Sequence, residues 1–148
     1  MHGKGINAYK QSNVITADPK KLIILCYEAI ISNLKIVRDS YVSKDYETKA
    51  KCLQKAQDIL CELTNALDFE KGGEVARNLY ALYGYVARHI LEADLRRDVE
   101  AFAEDIKMLE ELKSAWQEIF SESQKLSDIK PAVIPDTGRG KMVASYRV

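Results

Sequence analysis

Proline is missing between Lys20 and Lys130, and glycine there is limited to Gly72, Gly73 and Gly84. Nothing in that stretch forces a helix to break except where a turn is wanted. No apolar run reaches the length of about 18 residues that a membrane-spanning helix needs, and the first residues lack the basic-then-apolar pattern of a secretory signal. The expectation is a soluble, cytoplasmic chain with no membrane insertion. Histidine is scarce, with only His2 and His89. A di-iron bundle needs paired Glu-x-x-His motifs, and the residue three before His89 is Val86, so that oxidase class is excluded. No carboxylate or cysteine stands at a useful sequence spacing from His89, which reads as a partly exposed helix residue. Phosphate loops, nucleophile elbows and HExxH motifs are absent too, so the chain reads as a non-enzyme without a cofactor.

The cysteines, at 26, 52 and 61, are odd in number, form no CxxC pair and lie inside apolar helical patterns. They read as reduced, mostly buried thiols rather than zinc ligands. Formal net charge is zero but unevenly spread: +3 over residues 1–21 and +2 over 128–148, leaving −5 between them. No basic stripe with interleaved aromatics runs along a helix, so no nucleic acid is expected as a partner.

What is present is helical periodicity. Asp18 and Pro19 form a helix start, the carboxylate capping free N–H groups and the proline filling the first helical position. Ala17 and Leu22 are placed as a small hydrophobic staple. Lys20 and Lys21 oppose the helix dipole, and the sequence offers no reason for them. The run that follows is too apolar for one stripe: Ile23, Ile24, Leu25, Cys26, Tyr27, Ile30 and Ile31 spread widely at about 100° per residue. Either several helices surround this one or part of its surface is kept for a partner.

A second helix is predicted over 45–68, with Leu53, Leu60 and Leu67 in a heptad row and Ala56 and Leu63 between them. Gly72 or Gly73 is expected to close it in a left-handed conformation. A third helix follows over 74–96, with Val75, Leu79, Leu82, Val86, Ile90 and Ala93 inward. A turn at 96–98, with Asp98 as N-cap, leads to a fourth helix whose inward row is Val99, Phe102, Ile106, Leu109, Leu112, Trp116 and Ile119. Long helices joined by short loops predict an all-α, antiparallel up-down four-helix bundle over residues 18–125. Residues 1–17 are expected to be an arm and residues 126–148, which carry two prolines and two glycines, an extended or flexible tail.

Tyr80, Tyr83 and Tyr85 fall within two turns of the third helix, and Tyr27 sits among isoleucines. Tyrosine suits surfaces that are apolar at one end and wet at the other. These residues either close the rim of the bundle or face a partner.

Together these features resemble the flagellin-specific export chaperone family, FliS, over roughly residues 8–120. AYKQSNVITADPKKLIILCYEAI carries Tyr9, Gln11, Thr16, Ala17, Asp18, Pro19, Leu22, Leu25 and Tyr27 in the family's order. KAQDILCELTNALDFEKGGEVARNLYALYGYV is similar in Lys55, Ala56, Leu63, Leu67, Gly73, Leu79, Leu82, Tyr83 and Tyr85, and Trp116 also fits. The resemblance implies a cytoplasmic chaperone that binds the disordered C-terminal segment of flagellin, prevents early polymerisation and delivers it to the flagellar export gate. It also implies an N-terminal arm that covers part of the client surface.

On that basis Ile6, Tyr9 and Val14 are expected in the lid, and Ile23, Ile24, Tyr27, Ile31, Tyr80 and Tyr83 in the client groove, with a core role open for each because periodicity does not separate a groove floor from a core. The tail, with Met142, Val143 and Tyr146, is either inert or a second self-lid. Other flagellar regulators are conceivable partners, and the chain is a monomer or a homodimer. Gly84 departs from the family pattern, which commonly has an acidic residue there. The competing expectation is a homodimeric helical adaptor without chaperone activity.

Overall fold

A computed structural model describes residues 18–127. They form four helices in chain order: α1 (Pro19–Ser43), α2 (Tyr46–Asn65), α3 (Phe69–Arg96) and α4 (Val99–Ser127). The expected all-α four-helix bundle is the fold observed. The arm and the tail lie outside the described residues.

Each helix begins where a carboxylate can hold its free N–H groups. Asp18 accepts from Lys20 N at 3.0 Å with Pro19 in the first turn, and Asp45 accepts from Thr48 N at 3.2 Å. Asp68 accepts from Glu70 N and Lys71 N, both at 3.0 Å, and Asp98 from Ala101 N at 3.3 Å. Such caps contribute about 1 kcal/mol each and fix where each helix starts. Lys44 and Arg97 adopt the left-handed conformation that closes α1 and α3.

The expected boundary near the paired glycines is corrected by the structure. α2 closes earlier, at Ala66, whose backbone stays in the right-handed helical region. The positive φ falls on Gly73 (φ 52, ψ −125), and it kinks α3 instead of ending α2. Asp68 caps one turn ahead of this kink, and that turn contains Phe69. The kink also breaks the phase of the inward row: Val75, expected inside, is 39 % exposed.

Cross-helix contacts establish the antiparallel order. Lys35 pairs with Glu110 and Glu28 with Lys113, so α1 and α4 run in opposite directions. Gln57 of α2 donates to the Ala87 carbonyl of α3 at 3.1 Å, while Lys49 lies 2.9 Å from Asp94. At that end Tyr41 of α1 also donates to the Asp94 carboxylate, so three helices meet on one aspartate. Burial and this neighbouring carboxylate push the Tyr41 phenol well above its ordinary range.

α1 is the central element, packed against α2 on one side and α4 on the other, which absorbs most of its excess apolar surface. Ile30, Leu34 and Val37 are fully buried with Leu60, Val86, Ile90, Phe102 and Leu109. Among the four neighbouring helix pairs, α2 and α3 have the least extensive apposition. The strip of surface along that seam, where Tyr80 and Leu91 of α3 are about half exposed, makes up the α2–α3 furrow.

Candidate functional site

Three groupings go beyond ordinary apolar packing and could carry function. The first is buried. Trp116 Nε1–H donates to the Tyr27 hydroxyl at 3.0 Å, and the Tyr27 and Tyr83 hydroxyls share a hydrogen bond of 2.5 Å. Tyr27, Tyr83 and Trp116 are 0 %, 3 % and 4 % exposed, so α1, α3 and α4 are tied together by a polar knot inside an apolar core. Burial pushes both phenols above their ordinary range, Tyr83 further because Tyr27 lies against it. Both therefore remain neutral hydrogen-bonding groups.

The second grouping joins α3 to α4. Both carboxylate oxygens of Asp105 lie 2.8 Å from His89 Nδ1, and Glu104 approaches Nε2 at 3.6 Å. Tyr85 stacks on the imidazole with a centroid distance of 5.5 Å. The sequence reading that no carboxylate stands with His89 is thereby corrected: Asp105 is brought in from the next helix. Asp105 is 1 % exposed. Burial raises its pKa despite the opposing hydrogen bond from His89. A carboxyl whose native pKa exceeds its unfolded value of about 3.9 binds its proton more tightly in the folded state, so its stabilising contribution is full below that value and is lost as pH rises through the native pKa. The wild type is therefore expected to lose stability relative to Asp105→Asn as pH rises above the unfolded carboxyl value of about 3.9. Urea unfolding at several pH values reads this out, and parallel curves for the two proteins would refute it.

The third grouping is the furrow between α2 and α3. Tyr80, Gly84, Ala87, Leu91 and Leu95 recur at the spacing that keeps residues on one edge of a helix. Tyr80 is 56 %, Leu91 50 % and Leu95 84 % exposed. Phe69, in the turn before the kink, meets Tyr80 edge-on at 5.9 Å and extends this apolar row. Gln57 lies alongside on α2 through its bond to the Ala87 carbonyl. Large apolar side chains left half exposed in a row, beside a loosely packed helix pair, form a surface suited to an amphipathic helix.

The expected groove residues therefore separate. Tyr80 lies on the exposed row. Tyr27, Tyr83 and Ile31 are buried in the core and present no surface to a partner in this conformation. Ile23 and Ile24 are partly buried against the core. Ile24 also floors an open hollow of about 330 Å³ at the start of α1, together with Phe120, Gln117 and Ser121 of α4. Lys20 lies 5.9 Å from the Phe120 ring centre, which gives this residue the structural role missing from the sequence. Ile6, Tyr9 and Val14 lie outside the described residues. Leu91, Leu95, Phe69 and Phe120 were not singled out from the sequence, although a four-then-three spacing from Tyr80 through Gly84, Ala87 and Leu91 would have drawn attention to the first of them.

No group of three or more His, Cys, Asp or Glu side chains suited to a metal ion occurs among the described residues. No helix among them is long and apolar enough to cross a membrane. Cys26 and Cys52 are buried, and Cys61 is partly buried. A helical bundle that leaves an apolar furrow at its surface defines a protein-binding module. The family model described as flagellar protein FliS matches residues 2–123. The chain is 38 % identical over 120 residues to the flagellar secretion chaperone FliS of Salmonella typhimurium, covering 78 % of this chain and 89 % of the relative. It is 34 % identical over 140 residues to the protein of that name from Escherichia coli, covering 90 % and 96 %. The Campylobacter jejuni relative, also a flagellar secretion chaperone FliS, is 33 % identical over 113 residues, covering 76 % and 88 %. The chain belongs to the FliS family of flagellar secretion chaperones.

Proposed function

We propose that this protein holds the C-terminal segment of flagellin in the furrow between α2 and α3, keeps it from polymerising in the cytoplasm and releases it at the flagellar export gate. The observation that carries this reading is the exposed row from Phe69 and Tyr80 to Leu95 beside the least tightly apposed helix pair. A disordered client pays an ordering cost on binding and needs a long apolar track to offset it. The row supplies such a track, and the hollow at Ile24 and Phe120 offers a second seat toward the start of α1. Ile23 borders that end of the bundle. Ile6, Tyr9 and Val14 belong to an arm that enters α1 at Asp18, which lines the same hollow, so the arm is a natural cover for this second seat. Tyr27, Tyr83 and Ile31 serve the site indirectly by holding the helices in place.

Calorimetric titration of the full chain with a peptide spanning the last ~40 residues of the flagellin from the same cell tests the proposal, that length being enough for one or two long helices. The expected result is saturable binding with a strongly negative heat-capacity change, the mark of apolar burial coupled to folding. Absence of binding at tens of micromolar by a folded protein would refute it and favour the homodimeric adaptor.

A further inference from the structure

The outer edge of the exposed row carries two arginines, which by register stand closer to the apolar side chains than any acidic residue on that edge of the helix does. Arg77 and Arg88 stand eleven residues apart on α3, three helical turns, or about 16 Å, along the same edge. Both are exposed, and no ion pair with any described residue engages either of them. Glu74, one turn before Arg77, and Glu92, one turn beyond Arg88, are the nearest acidic residues by register, yet neither forms an ion pair with the arginines. Gly84 explains how Arg88 reaches the row. A Cβ at that position would lie 3.3 Å from an Arg88 guanidinium nitrogen, so the absence of a side chain lets the cation lie over the apolar track between Tyr80 and Leu91. The furrow thus has an apolar floor and a cationic rim on its α3 side.

The rim discriminates among occupants. Residues 1–17 carry Lys4 and Lys10 and no acidic residue, and residues 128–148 have a net charge of +2, so both ends of the chain present like charge to it. A second copy laid antiparallel across the same row would set Arg77 and Arg88 of both molecules along one edge. An apolar-faced helix with acidic residues along one border fits without such conflict. Opposite charges at a rim act chiefly on specificity, register and association rate, and their effect weakens with salt.

We infer that Arg77 and Arg88 select an acidic-edged amphipathic helix for the α2–α3 furrow and fix its rotational setting, with Gly84 admitting the Arg88 guanidinium to the contact. This rests on the furrow being the client's seat, as proposed above.

The test uses the full chain and two synthetic 18-residue helical peptides that share one Leu/Ala stripe and differ only in having Glu or Lys along a single border, with the flagellin C-terminal peptide as a third ligand. The Glu-bordered peptide is expected to bind about tenfold more tightly than the Lys-bordered one at low salt, since each of two rim pairs contributes a few-fold. The preference should shrink in high salt, vanish in Arg77→Gln/Arg88→Gln and reverse in Arg77→Glu/Arg88→Glu. Equal binding of the two peptides, failure of both to bind, or a preference that survives the double Gln change would overturn the inference. So would a concentration-dependent dimer abolished by Leu91→Ser, which would seat a second copy on the row. The two readings fail separately. Flagellin peptide binding equally to the wild type and the Gln variant leaves the chaperone reading standing and removes the rim from it. Arg-dependent binding of the Glu-bordered peptide without flagellin binding removes the flagellin reading and keeps the rim.

Discussion

Tyr80→Ser combined with Leu91→Ser is expected to weaken binding of the flagellin C-terminal peptide by about 100-fold while leaving the bundle folded. The magnitude follows from where these side chains stand. Both are about half exposed in the free protein, so a client helix can still remove much of their apolar surface from water. A central anchor of this kind contributes roughly 1–2 kcal/mol on binding, and two of them approach the 2.8 kcal/mol that corresponds to 100-fold. Their partial exposure also predicts a small effect on folding, within about 0.5 kcal/mol each. Calorimetric titration reports the first quantity and urea unfolding the second. Unchanged affinity in a folded double variant would move the client away from the furrow, with the hollow at Ile24 and Phe120 as the next surface to examine.

The opposite pattern is expected at Tyr27. It is fully buried and serves two hydrogen bonds, from Trp116 and with Tyr83. Tyr27→Ala removes a whole aromatic ring from a closed core and leaves the Trp116 N–H without its acceptor, for a loss of about 3–5 kcal/mol. Domains of this size have only about 5–15 kcal/mol of stability in total, so the variant should lie near its unfolding threshold. Tyr27→Phe keeps the ring and loses only the hydroxyl, at about 1–3 kcal/mol. Urea unfolding of the two variants is the measurement. If Tyr27→Ala unfolded at the wild-type midpoint, the knot would have no structural importance. Client affinity gives a second check: Tyr27→Phe should bind nearly as the wild type does, whereas a large loss from removal of one hydroxyl would mean that Tyr27 contacts the client after all.

Much of the fold was legible because it depends on local rules. The caps at Asp18 and Asp98 come from one side chain acting on its own turn. The heptad row through Leu53 and Leu60 needs only the helical period, and both residues are buried. Gly73 was misassigned for a definite reason. A positive φ serves equally to close a helix or to kink one, and the choice was made by Asp68, which capped a new turn before the glycine was reached.

The site was less legible because its defining property is the absence of a neighbour. Tyr80 and Tyr83 are one turn apart on the same helix, and nothing in their identity says that α4 and α1 cover Tyr83 while the furrow leaves Tyr80 open. The same limit applied to His89. Its carboxylate partner lies 16 residues away, and only the antiparallel pairing of α3 with α4 brings Asp105 to it. Leu91 and Leu95 looked like ordinary members of an apolar helix until the wide spacing of α2 and α3 exposed them.

The position of Trp116 has one more consequence. It is the chain's only tryptophan, it stacks on Phe120 at 5.3 Å and it donates to Tyr27. Intrinsic fluorescence therefore comes from one indole inside the knot, within energy-transfer range of the neighbouring tyrosines and away from the Leu91 end of the furrow. A client that occupies only that end should leave the emission almost unchanged. One that reaches Phe120, beside the start of α1, should shift it, so the protein carries a built-in optical ruler for how far along the bundle a bound segment extends.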